Sequence, residues 1–138
     1  MLNCSDSRVI PEYIFDAANG QLFIIRLAVN VAMDSSILTY LEYAVDHFHV
    51  EYTIILGHTN CGDVKSSENT TQNDYPIFRE IQESFSIDPD NHIMANLKRQ
   101  LLHFPKGSTS INNAIQENTL KLIVAIYHLE NGTVEFFE

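Results

Sequence analysis

Tyr52-Thr53-Ile54-Ile55-Leu56-Gly57-His58-Thr59-Asn60-Cys61-Gly62 is an apolar, β-branched run that breaks at a glycine and then presents a histidine and a cysteine. Such a run reads as a strand buried on both faces. Upstream of it, Ile37, Leu38, Leu41, Ala44, Val45 and Phe48 recur at helical spacing. They predict an amphipathic helix over Ser35 to Phe48, capped by Asp34 or Ser35. Before that, Gln21 to Ala28 is apolar, is set off by Gly20, and predicts a second buried strand. Strand, helix, strand with apolar strands means a parallel sheet with a right-handed crossover.

Outward from this unit, Met1 to Cys4 reads as the stub of a first strand. Pro11 to Phe15 suits a short helix with proline in its first turn. Beyond Lys65, the polar stretch Ser66 to Asp74 reads as a loop. Tyr75 to Phe85 and Asn91 to Phe104 have helical spacing, with Pro89 and Pro105 as punctuation, and Ser110 to Gln116 suits another short helix. Leu120 to Tyr127 predicts a strand, and Asn131-Gly132 a hairpin turn into a return strand over Thr133 to Phe137. The expected fold is α/β: a central, mainly parallel sheet flanked by helices, with a C-terminal antiparallel hairpin. At 138 residues it is expected to form one domain, 1–138.

A net charge of -10 argues against nucleic acid and anionic membranes as partners, because both demand basic patches. No apolar run approaches the ~20 residues that cross a bilayer, and Met1-Leu2-Asn3-Cys4 lacks the basic and apolar regions of a secretory signal. A cytoplasmic location is therefore expected. There the cysteines stay reduced, which favours metal binding over a disulfide.

Cys4, His58 and Cys61 fall at the ends of two predicted strands. In open parallel sheets, ligands bind beyond the carboxyl ends of the strands, where strand order reverses. Two thiolates and an imidazole suit zinc, one ion per chain. Three protein ligands rather than four leave a position for water or substrate, as in catalytic sites. The chain has 2 cysteines and the motif uses both. The plainer readings are two buried thiols or a disulfide, and a hydrogen-bonded histidine at a strand end. Asp6 can reach the fourth position of a metal at Cys4, and Arg8 can hold Asp6 ionised through a bidentate pair. His47, His49, His92, His103 and His128 lack ligand spacing among themselves. Tyr40, Tyr43 and Phe48 read as core or as a subunit interface.

Cys4-Ser5-Asp6-Ser7-Arg8 followed by His58-Thr59-Asn60-Cys61 resembles the zinc motif of the β-class carbonic anhydrases, Cys-x-Asp-x-Arg and then His-x-x-Cys. Val9-Ile10-Pro11, Leu22-Phe23-Ile24-Ile25-Arg26, Gly57 to Gly62 and Ala125 to Val134 are similar to further stretches of that family. The resemblance implies a zinc lyase that hydrates CO2 reversibly to bicarbonate by attack of zinc-bound hydroxide. It implies Cys4, His58 and Cys61 as metal ligands, and Asp6 and Arg8 as a dyad in which Asp6 accepts the hydroxide's hydrogen bond. In a closed state Asp6 would be a fourth ligand. A homodimer or higher even oligomer is implied as well. The alternatives are a COS or CS2 hydrolase on the same fold and a catalytically inactive zinc-binding paralogue.

Three departures accompany the resemblance. Most members carry a long segment before the first motif, with helices that embrace the partner subunit and a full first strand, whereas three residues precede Cys4 in this sequence. Where the family usually has Arg-Asn-Ala-Gly-Asn, this chain has Arg26-Leu27-Ala28-Val29-Asn30, with a β-branched residue where backbone freedom or close approach is used. The region between Cys61 and the final strands is short, and no partner-subunit residues are assigned to the site.

Overall fold

The computed structural model describes residues 1–32, 34–70 and 75–137. Its strands are β1 (Leu2–Cys4), β2 (Ile25–Leu27), β3 (Tyr52–His58), β4 (Lys121–His128) and β5 (Thr133–Phe137). They form one sheet in the order β2-β1-β3-β4-β5. The first four run parallel, and β5 returns antiparallel to β4. The helices are α1 (Pro11–Ile14), α2 (Ser35–Phe48), α3 (Gly62–Asn69), α4 (Pro76–Ser84), α5 (His92–Gly107) and α6 (Thr109–Gln116).

The chain leaves β1 for β2 on one side, then crosses back to β3 on the other. Strand order therefore reverses between β1 and β3, which pair through Leu2↔Ile55 and Asn3↔Leu56. Side chains alternate across the pleat. Leu2, Ile55, Val124 and Ile126 face Leu38 and Leu41 of α2, Leu97 and Phe104 of α5 and Ile111 of α6. On the opposite face, Leu56 and Ala125 pack with Val9, Ile14 and Phe15 around α1.

The expected α/β architecture is the one found. The helix over Ser35–Phe48 has the predicted bounds. Asp34 caps it by accepting from the Ser36 N–H at 2.8 Å, and His49 ends it in a left-handed conformation with φ 52°. In the hairpin, Gly132 takes φ +74° and its N–H reaches the His128 carbonyl at 2.8 Å, the conformation glycine adopts without steric cost.

Four expectations need correction. The stretch Gln21 to Ala28 contributes only Ile25–Leu27 to the sheet and is half-buried, because it forms the edge strand and its pairing with β1 ends at Leu2↔Ile25 and Cys4↔Leu27. The supposed loop from Ser66 is helical to Asn69, since α3 turns only Val64 and Ser67 inward and its polar remainder hides the period. Residues 71–74 lie outside the described residues. Pro105 sits inside the last turn of α5, which continues to Gly107 and closes with the Ser108 N–H on the Phe104 carbonyl at 3.2 Å. Finally, of the two readings of Tyr40, Tyr43 and Phe48, core or subunit interface, the first is ruled out, since they are 57%, 48% and 57% exposed. The inward face of α2 is Leu38, Leu41 and Ala44, and Tyr43 and Phe48 form a cluster in which Phe48 lies 5.4 Å from Tyr43 and 5.7 Å from half-buried Phe23.

Gly57 lets α5 settle on β3 just before His58. A Cβ there would stand 2.9 Å from Leu97 Cδ1 and 3.2 Å from Ile93 Cγ2. Gly57→Ala is expected to destabilise the fold by about 1–3 kcal/mol through overpacking, read as a lower urea midpoint with an unchanged slope. A smaller residue at Leu97 should recover part of the loss.

Candidate metal centre

Cys4 ends β1 and His58 ends β3, so the reversal of strand order sets them side by side. Cys61 follows after a tight turn in which Asn60 is left-handed (φ 55°), and it occupies the N-cap position of α3. All three residues are buried, at 2%, 1% and 4% exposure, and both cysteines are free thiols. One ligand atom from each lies within 4.8 Å of the other two; bonds of about 2.0–2.3 Å to a single ion would draw the three somewhat closer together.

The imidazole is oriented by its backbone. His58 Nδ1 lies 2.9 Å from the Thr59 carbonyl, and that oxygen can only accept, so Nδ1 carries the hydrogen. The lone pair is then on Nε2, which is buried and has no hydrogen-bond partner. An orphaned acceptor in a dry site costs free energy unless something fills it. A soft cation flanked by two sulfurs is the species that this donor set fits. The Thr59 hydroxyl braces the same loop, donating to Glu130 Oε2 at 2.6 Å and accepting from the Leu129 N–H at 3.0 Å.

The rim carries the predicted carboxylate and guanidinium. Arg8 Nε and Nη2 reach Asp6 Oδ1 and Oδ2 at 3.0 and 2.6 Å, and the Arg8 N–H adds a bond to Oδ1 at 2.9 Å. Arg8 Nη2 also donates to the Asn60 carbonyl at 3.2 Å, tying the first motif to the second. Asp6 Oδ2 stands 3.9 Å from His58 Nε2, so the carboxylate borders the ligand group while its oxygens are engaged by the fork.

The charges are arranged accordingly. The Arg8 side chain, with its N–H adding to the effect, holds the Asp6 carboxyl well below the usual carboxylate range despite some burial. The Cys61 thiol donates to Cys4 and, helped by His58 and by the N–H groups of Asp6 and Val29, pulls the Cys4 thiol down strongly against the cost of burial. Cys61 is pushed up by that same bond to Cys4 and by burial. In His58, burial disfavours the charged ring, but the Cys4 thiolate and the Thr59 carbonyl outweigh it and the pKa is raised.

All five expected residues, Cys4, Asp6, Arg8, His58 and Cys61, thus converge. Three contributors were not foreseen. Arg26 wraps the first motif, donating to the carbonyls of Asp6 at 2.9 Å and Val9 at 3.0 Å. Asp63, in the first turn of α3, places Oδ2 4.0 Å from Cys4 Sγ. Asn96 of α5 reaches the segment beside Cys4, donating to the Val29 carbonyl at 2.8 Å. Arg26 and Asp63 stood within quoted motifs or beside one; nothing in the sequence marks Asn96.

Val29 carries the departure noted above. Its φ of 56° and ψ of 21° are left-handed, a conformation that costs a β-branched residue about 1–3 kcal/mol.

Solved structures share this fold. The Coccomyxa β-carbonic anhydrase in complex with acetazolamide superposes with a TM-score of 0.87 at 22% identity, covering 99% of this chain and 69% of that one. A tetrameric β-carbonic anhydrase from Sordaria macrospora gives 0.80 at 19% identity, covering 99% and 78%. The carbonic anhydrase family profile matches residues 1–134. The chain belongs to the β-carbonic anhydrase family. Among curated relatives, the carbonic anhydrase of Mycolicibacterium smegmatis is 28% identical over 149 aligned residues, 98% of this chain and 72% of that protein. Carbonic anhydrase 2 of Mycobacterium tuberculosis is 42% identical over 67 residues, 49% of this chain and 32% of that protein.

For this β-carbonic anhydrase family member the ligand set makes a thermodynamic prediction. Zinc supplied to metal-free protein at about 1,000 times its Kd should stabilise the fold by about 4 kcal/mol. This should appear as a Tm increase that a chelator reverses. His58→Ala should lose most of that increase.

Proposed function

We propose that the chain is a zinc enzyme, a lyase that hydrates CO2 reversibly to bicarbonate, with Cys4, His58 and Cys61 holding one zinc ion and Asp6 and Arg8 serving the reaction. The observation that carries this reading is the unpartnered, buried Nε2 of His58 beside two sulfurs and a carboxylate already held by an arginine fork. Zinc held there would supply Lewis-acid activation of water near neutral pH.

The remaining work falls to the chain's own groups. Asp6, kept ionised by Arg8, is an acceptor bordering the site; it takes the hydrogen bond of the attacking oxygen and leaves a lone pair directed at CO2. Because both Asp6 oxygens are engaged by Arg8, the geometry favours the open arrangement over one in which Asp6 closes the site as a fourth ligand. Two thiolates would offset the charge of a divalent cation held there, so water activated by it would be less acidic than beside three imidazoles, and turnover should rise toward alkaline pH.

The cluster of exposed Tyr43 and Phe48 with half-buried Phe23 is the surface we assign to subunit contact, in a homodimer or higher even oligomer. The Sordaria relative is tetrameric. Among the described residues, no helix is long and apolar enough to cross a membrane. Two thiols that must stay reduced to hold metal fit the cytoplasm.

Stopped-flow CO2 hydration by protein of known zinc content tests the reading directly. Zinc-dependent turnover that grows with pH is expected; zinc bound without turnover at any pH would refute the anhydrase and call for COS as the next substrate. Asp6→Asn should abolish turnover with zinc content unchanged. Arg8→Lys, which loses the fork but keeps the charge, should lower kcat at unchanged zinc content. Light scattering should return at least a dimer.

A further inference from the structure

We infer that Asn96 is a positioning residue of the metal centre: it locks Val29 in a left-handed conformation that a valine would otherwise leave, and thereby holds the wall of the site against Cys4. The inference rests on the reading of Cys4, His58 and Cys61 as zinc ligands.

The starting point is an outlier. Two successive residues, Val29 (φ 56°) and Asn30 (φ 49°), are left-handed. Asparagine tolerates that region, but a β-branched side chain is crowded there, and such strain persists only where the surroundings over-determine it. The surroundings here are a buried amide network. Asn96 Nδ2 donates to the Val29 carbonyl at 2.8 Å and to Asn30 Oδ1 at 3.0 Å. Asn30 Nδ2 donates to the Leu56 carbonyl at 3.2 Å. Gln100 completes it: Oε1 accepts from the Ala32 N–H at 3.0 Å, and Nε2 reaches Asn96 Oδ1 at 3.4 Å. The kink is thus gripped from α5 at Val29, Asn30 and Ala32 and fastened to β3 two residues before His58.

The grip bears on the metal site because of where Val29 points. It is 2% exposed and packs in one cluster with Cys4, Cys61, Val64 and Ile81. Val29 and Asn96 line, together with Cys4, His58 and Cys61, a half-open pocket of about 10 Å³, barely the space of one water. With no slack, a Val29 that turned toward an ordinary backbone conformation would push against the sulfur ligands or pull away from them. The hydrogen bonds of Asn96 go to Val29, Asn30 and Gln100 and not to Cys4, His58 or Cys61, so its effect on the metal passes through Val29.

The test is a double-mutant cycle read as zinc affinity by chelator competition, with the Co(II)–thiolate absorption band as a second signal. Asn96→Ala should weaken zinc binding about 10–100-fold, as loss of an outer partner does, and should shift the cobalt band. In a Val29→Gly background, where the left-handed conformation needs no clamp, the same Asn96→Ala change should cost little affinity. Equal losses in both backgrounds, or a loss of Tm alone with affinity and cobalt spectrum unmoved, would overturn the inference and leave Asn96 a structural residue. If Asn96→Ala does not fold by itself, recovery of folding and zinc binding on adding Val29→Gly supports the clamp, and failure of both proteins to fold overturns it. A wild-type protein that binds no zinc would overturn the metal-site reading itself.

Discussion

The short parallel pairing of β1 with β3 is the constraint on which the site depends. Leu2↔Ile55 and Asn3↔Leu56 set the register, and that register decides how far the ends of the two strands lie apart. A slip of one residue would turn Cys4 to the other face of the sheet, away from His58 and Cys61. Much of the surrounding structure secures this register. Arg26 ties the carbonyls after Cys4 to the edge strand, Arg8 bridges to the Asn60 carbonyl, and Leu97 of α5 presses on β3 where Gly57 leaves room.

Around that junction the polar groups divide into two sets. On the open side, Asp6 and Arg8 pair where water reaches them, and the fork keeps the carboxylate ionised. On the closed side, Asn30, Asn96 and Gln100 satisfy one another and the backbone of a kinked segment in the interior. Burying amides is costly unless each is paired, and here they are paired with the carbonyls and N–H groups that the kink withdraws from regular structure. The metal ligands lie between the two sets, with His58 Nε2 a buried atom that neither set satisfies.

Outside the site, α2 divides its surface between the core and solvent. Leu38, Leu41 and Ala44 bind it to the sheet, whereas Tyr40, Tyr43 and Phe48 face outward. Helical spacing alone could not separate these faces, because both are apolar and an aromatic row on a helix looks the same whether it meets the protein's own core or a second subunit.

What the sequence by itself determined is the part carried by local pattern. The buried strand into His58, the helix over Ser35–Phe48, the hairpin at Asn131-Gly132 and the ligand spacings are all short-range signals, and period, caps and turn residues express them directly. The parallel sheet followed from their order. Only the tertiary structure decided the extent of the edge strand at Ile25–Leu27, since strand length depends on the neighbour available for pairing. It alone placed Pro105 inside α5 and made a helix of Gly62–Asn69, whose inward face is Val64 and Ser67. It alone brought Asn96 to Val29, 67 positions away in the chain. A backbone conformation that is locally unfavourable cannot be read from local preference, because it exists only where distant residues hold it.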